Sequence, residues 1–340
     1  MSLNSARFLQ RSRFEPEQFK AQQQYKLSNG TEVHIVAPGI IAFEPIQPVS
    51  PKSILLSSGV HGNETAPIEI CEQLVENLLN EKIVTKHRVM FIFGNLPAMN
   101  IGERFVDENL NRLFNDSTAI DNQEQRRAQE IKSAVKGFFE SDISNPSTFD
   151  ESSRLHYDLH TAIRESKNEK FAVYPFLHGE SYNKTQLQFL SACAVNTILL
   201  SQSPTSTFSY YTSKNYKAHG FTVELGKVKA FGENDMSKFT DVVKMLEVLI
   251  TEINLDLPLY ENCPLDVYDV KQVIDKHSNE FTLCFADNIP NFTGFPKGTL
   301  LATDGTNEYR AKVDGEAIVF PNANVALGQR AILTVVPCEI

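Results

Sequence analysis

The chain has 340 residues and a formal net charge of −10, an acidic balance that excludes a general nucleic-acid binder, which would need a basic face. That length suits one large domain plus a smaller one, and 41% hydrophobic and 22% charged residues with no low-complexity tract is the composition of an ordinary soluble globular protein. Its five cysteines are scattered without a CxxC pair, which argues against a disulfide framework or a thiolate metal site and for a reducing cytoplasm.

The amino-terminal stretch "MSLNSARFLQRSRFEPEQF" lacks the apolar core of a secretory leader. Nor does any later segment approach the roughly 20 apolar residues that cross a bilayer, so no membrane partner is expected. From about residue 25 to residue 250 short apolar runs alternate with longer helical patterns. "SILLSSG" reads as a buried strand, and apolar positions Ile68, Cys71, Leu74, Val75, Leu78 and Leu79 then repeat at helical spacing, with Pro67 tolerated in the first turn. Between them, "GVHGNE" sets His61 and Glu64 three positions apart, with Gly59 and Gly62 keeping the backbone slim. "RVMFIFGN" is a second buried strand, ended by Gly94 and Asn95. The polar segment "GERFVDENLNRLF" follows, carrying Arg104, Asn111 and Arg112, and "EQRRAQEIKSAVKGFF" is a further helix. In "LHYDLH" the two-residue period puts His156, Asp158 and His160 on one strand face and Leu155, Tyr157 and Leu159 on the other. "GFTVELG" likewise separates Thr222 and Glu224 from Phe221, Val223 and Leu225, and "FTDVVKMLEVLITEI" closes the region as a helix. Strands alternating with helices predict an α/β layered sheet over residues 1–255. After residue 256 the helical period disappears. Short runs such as "FTLCF", "GTLLATDG", "EAIVFPN" and "RAILTVV" predict a small, mostly β domain over 256–340.

Hydrolytic zinc sites commonly combine histidines with a carboxylate and leave one coordination position open. His61 and Glu64 are two candidate ligands from one loop, and His160, at a strand's end, is a candidate third, since ligands gather outside the carboxyl ends of strands in open α/β sheets. Taken singly, an HxxE spacing or a strand histidine fits ordinary packing as readily as coordination; the conjunction favours a metal. Asp158 is placed to accept the other N–H of a ligand imidazole. Glu224, an acid inside an apolar strand, is the candidate general base, since burial raises a carboxyl pKa toward the range useful for moving protons. Arg104, Asn111 and Arg112 are suited to holding a carboxylate, which an acidic protein can do only in a local cationic pocket.

Together "GVHGNETAP", "RFVDENLNRLF", "YDLHTAIRES" and "FTVELG" resemble the aspartoacylase and succinylglutamate desuccinylase family of zinc amidohydrolases, in order over most of residues 50 to 235. "GFPKGTLLATDG" extends the likeness into the last domain, and "HTAIR" and "VALGQRA" favour the desuccinylase branch. The resemblance implies a zinc-carboxypeptidase-like mixed sheet flanked by helices, with a smaller mostly β carboxy-terminal domain at the active-site entrance. It implies one zinc ion per chain on His61, Glu64 and His160, Glu224 as catalytic base and Arg104 polarising the scissile carbonyl. It assigns the acyl-chain carboxylate to Asn111 and Arg112, and the amino-acid half to Tyr210 and Lys214, with Arg164 able to share that work. Lys214 stands where the family has an arginine, and a lysine is a point charge without the planar fork. The implied reaction is hydrolysis of N-succinyl-L-glutamate, the last step of arginine catabolism through succinylated intermediates. The competing expectations are another N-acyl amino acid deacylase, a metallocarboxypeptidase, or a non-catalytic binder of anionic metabolites. The sequence carries no signal for oligomeric state.

Overall fold

A computed structural model describes residues 8–46, 52–141 and 153–340; the first seven residues of the amino-terminal stretch lie outside them. Helix α1 (Phe8–Phe14) leads into an antiparallel trio, β1 (Gln23–Lys26), β2 (Glu32–Ala37) and β3 (Ile40–Glu44). In β2, Val33, Ile35 and Ala37 are buried and their neighbours partly exposed, the pattern of a strand with one wet face. Strand β4 (Ser53–Ser58) follows, then α2 (Thr65–Leu79), β5 (Arg88–Phe93), the short α3 (Leu96–Ile101) and α4 (Gln123–Glu140). Asn122 caps α4 by accepting the Gln125 N–H at 2.8 Å. Next come β6 (Arg154–Ala162), β7 (Phe171–Tyr174), α5 (Lys184–Ala192), β8 (Thr197–Leu200), α6 (Phe208–Tyr216), β9 (His219–Lys227) and α7 (Thr240–Thr251).

Strands β5, β4, β6 and β9 lie side by side and parallel, and every residue of β4 and β6 is buried, the polar residues of β6 included. Helices cover both faces. On one, Ile54, Leu56, Leu155, Tyr157, Leu159, Phe221 and Val223 pack with apolar residues of α2, α5 and α7. On the other, Leu55, Met90 and Ile92 pack with Ala128, Ile131, Val135 and Phe138 of α4 and with Phe208 and Tyr216 of α6. Each such fully buried aliphatic or aromatic side chain contributes about 1.5–3 kcal/mol relative to exposure. α6 sits directly on β9: a Cβ at Gly220 would come within 2.4 Å of the Ser209 carbonyl oxygen. His156, Asp158 and His160 face this second side, so a polar stripe runs through an otherwise apolar layer.

The last segment contains β10 (Asp266–Asp275), β11 (Thr282–Leu283), β12 (Thr293–Phe295), β13 (Leu300–Asp304), β14 (Asn307–Arg310), β15 (Glu316–Val319) and β16 (Arg330–Pro337). It forms a mostly β domain, with its own core of Ile274, Phe281, Leu301, Ile318 and Ile332. The domain is not a detached bead. The start of β10, Asp266–Asp269, pairs in parallel with Thr197–Leu200 of β8, so β10, β16, β15 and β12 extend the main sheet to 13 strands. A separate three-stranded sheet, β11-β13-β14, completes the domain. Among the described residues no helix is long and apolar enough to cross a membrane.

Candidate metal centre and active site

Parallel β4, β6 and β9 all end at the same edge, and the candidate residues gather there. The turn after β4 is made at Gly59, whose φ is +61°, a conformation costly for residues with a Cβ. Gly62 is needed for another reason. A Cβ there would lie 2.3 Å from the backbone of Ala98 and Met99, so only glycine lets the loop pass α3. The loop then enters α2 with Glu64 at the position preceding the helix. Its carboxylate caps no helical N–H; it accepts instead from Arg104 Nη1 at 2.7 Å and from the Thr161 N–H at 3.2 Å.

His61 Nδ1 lies 2.9 Å from Glu64 Oε1, and His160 Nδ1 lies 2.8 Å from Glu64 Oε2. One ligating atom from each of the three residues falls within 4.8 Å of the other two, and all three residues are buried. The far nitrogens of both rings are engaged outward. His61 Nε2 meets Asn109 Oδ1 at 3.0 Å, and His160 Nε2 meets Asp158 Oδ2 at 2.9 Å. An acceptor on each Nε2 draws a proton there and turns each Nδ1 toward the Glu64 carboxylate, so that Nδ1 is the ring atom each histidine can offer a metal. His61 Nδ1 is buried without a properly aligned hydrogen bond. Two imidazole nitrogens and one carboxylate oxygen in a closed space are a donor set that zinc accepts. Residues His61, Glu64 and His160 therefore fit a divalent metal.

The electrostatics agree. Burial opposes charge on Glu64, yet His61 and His160 hold its carboxyl well below the usual range. Burial and Arg104 push His61 down to about 4, which keeps it neutral. For His160 burial favours the neutral ring, but Asp158 and Glu64 on either side outweigh it and raise its pKa well above the ordinary value. A metal must displace that proton, so binding releases it.

Behind His160 a buried relay anchors the site. Ser57 Oγ donates to Asp158 Oδ1 at 2.6 Å and lies 2.8 Å from His156 Nε2, while His156 Nδ1 lies 2.8 Å from Thr212 Oγ1 of α6. His156 is thus a buried neutral group, pushed down to about 4 by burial.

Glu224 stands directly across from His160 in the β6–β9 register, so both side chains project from the same face of adjacent parallel strands. Its Oε2 is buried with no hydrogen-bond partner among the described residues. Burial, then the nearby Glu64 charge, raises its carboxyl to about 7 against the pull of His160 and Arg104.

A cavity of about 730 Å³ opens over these groups and is also lined by Arg104, Asn111, Arg112 and Arg164. The loop carrying the first three is held by Glu124, a fully buried carboxylate that accepts from Asn95 Nδ2 and from the N–H groups of Val106 and Asp107. Asn111 accepts the Phe208 N–H through Oδ1, which fixes its amide. Arg112 donates to the Asn111 carbonyl and has no carboxylate at ion-pair distance among the described residues. Arg164 lines the cavity, but its guanidinium donates to the carbonyl oxygens of Asp287, Ile289 and Pro321, so much of it is spent tying the carboxy-terminal domain to the loop after β6.

Tyr210 and Lys214 do not line the cavity. One helical turn apart on α6, they share a face directed elsewhere: the Tyr210 hydroxyl bonds His178 Nε2 at 2.9 Å, and Lys214 lies 3.8 Å from the exposed Asp116. Three lining residues do not stand out in the sequence. Asn109 is hidden inside a polar loop without periodicity. Asn291 and Arg330 come from the last domain, which only the folded chain brings to this edge.

The chain matches the Succinylglutamate desuccinylase/Aspartoacylase catalytic domain over residues 50–250 and the AstE/AspA barrel-sandwich hybrid domain over residues 263–338. It is 56% identical to a succinylglutamate desuccinylase of Pseudoalteromonas atlantica, over 98% of this chain and 95% of that one. A succinylglutamate desuccinylase of Idiomarina loihiensis is 48% identical over 91% and 90% of the two chains. Among solved structures, the Chromobacterium violaceum succinylglutamate desuccinylase superposes with a TM-score of 0.83 at 36% identity, covering 98% of each chain. That from Vibrio cholerae gives 0.85 at 31% identity, covering 97% of this chain and 94% of its own.

Proposed function

The chain belongs to the succinylglutamate desuccinylase/aspartoacylase family, and on that premise we propose that it is a zinc-dependent hydrolase of N-succinyl-L-glutamate. The products are succinate and L-glutamate, at the end of arginine catabolism through succinylated intermediates, in the cytoplasm. The observation that carries this reading is the buried group of two imidazole nitrogens and one carboxylate oxygen with an unpartnered carboxylate, Glu224, on the adjoining strand. His61, Glu64 and His160 would hold one zinc ion, which when bound supplies a Lewis acid and lowers the pKa of water to about 7.

The chain's own residues do the rest. Glu224 takes a proton from the attacking water and returns it to the departing amine, and its pKa near 7 suits both directions of transfer. Arg104 spends one guanidinium N–H on Glu64; its other donors stabilise negative charge growing on the amide oxygen. Arg112 and Asn111 hold the succinyl carboxylate, and Arg112 is suited to this because it lacks an acidic partner of its own. Residues 1–255 form the catalytic domain, and residues 256–340 wall the entrance.

Metal analysis of the purified protein, with turnover of N-succinyl-L-glutamate beside N-succinyl-L-arginine and N-acetyl-L-aspartate, tests the reading. Preference for either of the latter overturns the substrate assignment. Wild-type turnover by His61→Ala overturns the metal assignment.

A further inference from the structure

The substrate proposed above carries three carboxylates, and the cations described so far account for one. Arg112 is assigned the succinyl end, Arg104 is bound to Glu64, Arg164 is tied to three backbone carbonyls, and Lys214 lies outside the cavity. The amino-acid half is left without a counter-charge from the residues the sequence suggested.

The carboxy-terminal domain brings one. Arg330 opens β16, paired across from Asp275 of β10, and both residues line the cavity. Its guanidinium lies over the Phe320 ring, 5.4 Å from the centroid, within reach of a cation–π attraction. Among the described residues it makes no hydrogen bond and no ion pair, and its Nε is buried without an acceptor. Burial lowers its pKa to about 10 against the opposing pull of Asp275 and Glu224; Arg104 adds to the lowering. It remains a cation at neutral pH, and the same is true of Arg112, pushed to about 9 by burial and by Arg330 and Arg104. The same cavity holds a second such donor. Asn291 is fully buried, and its Oδ1 accepts the Phe320 N–H at 2.9 Å, which fixes the amide. Its Nδ2 is left with no acceptor, and Asn291 also lines the cavity. Two buried donor atoms without acceptors, one side chain lying over the Phe320 ring and the other holding the Phe320 N–H, in a cavity that also holds a candidate metal centre, describe a seat for an anion.

We propose that Arg330, with Asn291, binds a carboxylate of the amino-acid half of the substrate. This assignment rests on the reaction proposed above and supplies the counter-charge that Tyr210 and Lys214 do not.

The test is the kinetics of Arg330→Met and Arg330→Lys with N-succinyl-L-glutamate, its α-amide, its γ-amide, and the analogue amidated on the succinyl end. Arg330→Met is expected to raise KM for N-succinyl-L-glutamate by at least about tenfold, the loss of a charge-assisted bond, with kcat within about threefold of wild type. Its preference over one of the two glutamate amides collapses, while its preference over the succinyl amide and its zinc content stay. Arg330→Lys, which keeps the charge but not the fork, is expected to fall between the two. Unchanged KM, retained discrimination against both glutamate amides, or lost discrimination at the succinyl end overturns the assignment. If Arg330→Met fails to fold, constants for Arg330→Lys equal to wild type overturn it as well. Wild-type protein that does not hydrolyse N-succinyl-L-glutamate overturns the reaction, and this assignment falls with it; active wild type with indistinguishable variants overturns Arg330 alone.

Discussion

Replacing Asp158 by asparagine probes the metal centre without touching a candidate ligand. Asp158 is fully buried and accepts from His160 Nε2 at 2.9 Å and from Ser57 Oγ at 2.6 Å. A hydrogen bond to a charged group is worth about 1.5–3 kcal/mol net, and orienting partners of metal-bound histidines typically contribute 10–100-fold in affinity. An opposing effect is built into the same bond. Asp158 also raises the pKa of His160, so its charge strengthens the proton against which a metal competes. Removing the charge weakens both competitors, which places the expected loss of zinc affinity near the lower end, about tenfold at pH 7. The asparagine is nearly isosteric, and Ser57 can turn its hydroxyl toward His156 Nε2, 2.8 Å away, so the fold should survive. Competition with a chromophoric chelator across pH 6 to 8 measures the effect. Affinity in the wild type should climb more steeply with pH than in the variant, because binding releases a proton that only the wild type holds tightly. Equal affinities and equal slopes would refute the idea that Asp158 sets the tautomer and charge of His160.

Glu224→Gln should lower kcat by about 10²–10⁴-fold while leaving zinc content unchanged, as measured by steady-state turnover and metal analysis. Because Glu224 must be ionised to accept a proton, the rate should fall as pH drops through its pKa; the value near 7 set by burial is an upper limit, since a bound cation draws it downward. His156 and His87 are both pushed down to about 4 by burial, so below about pH 6.5 the unfolded chain binds protons that the folded chain refuses. Stability is therefore full above pH 6.5 and drains away between 6.5 and 4, by up to about 3 kcal/mol for His156, and denaturant titrations over that window should show a flatter decline in a His156→Gln variant that still folds. Gly62→Ala should destabilise the protein by about 1–3 kcal/mol and reduce zinc retention, because its Cβ meets rigid backbone at 2.3 Å; unchanged midpoint and metal content would contradict that contact.

How far the sequence could be read follows from which forces are local. The His156–Asp158–His160 alternation was legible because a strand has a fixed period, and Glu224 stood out because an acid in a buried run is costly. Their meeting depends on the β6–β9 register, a long-range pairing that only the likeness to a family suggested. Tyr210 and Lys214 show the converse. They lie close to Glu224 in sequence, yet the α6 face that packs on β9 carries Ser209 and Thr212, which turns Tyr210 and Lys214 toward His178 and Asp116. Arg330 is a lone arginine ahead of an apolar strand and reads as an ordinary polar start; its position depends on β10 and β16 being laid against β8. The roles of Gly59 and Gly62 were visible only jointly, and the structure divides them between turning and close approach.

The seam between β8 and β10 has a mechanical corollary. Two lobes linked by tether alone can swing apart to admit a ligand, but here such a swing would rip a row of backbone hydrogen bonds out of a shared sheet and pull the Arg164 guanidinium off its three carbonyls. Traffic into the site must then pass through side-chain and loop adjustments at the mouth. Deleting the final lobe would leave β8 as a raw, sticky border, prone to recruit strands from other molecules.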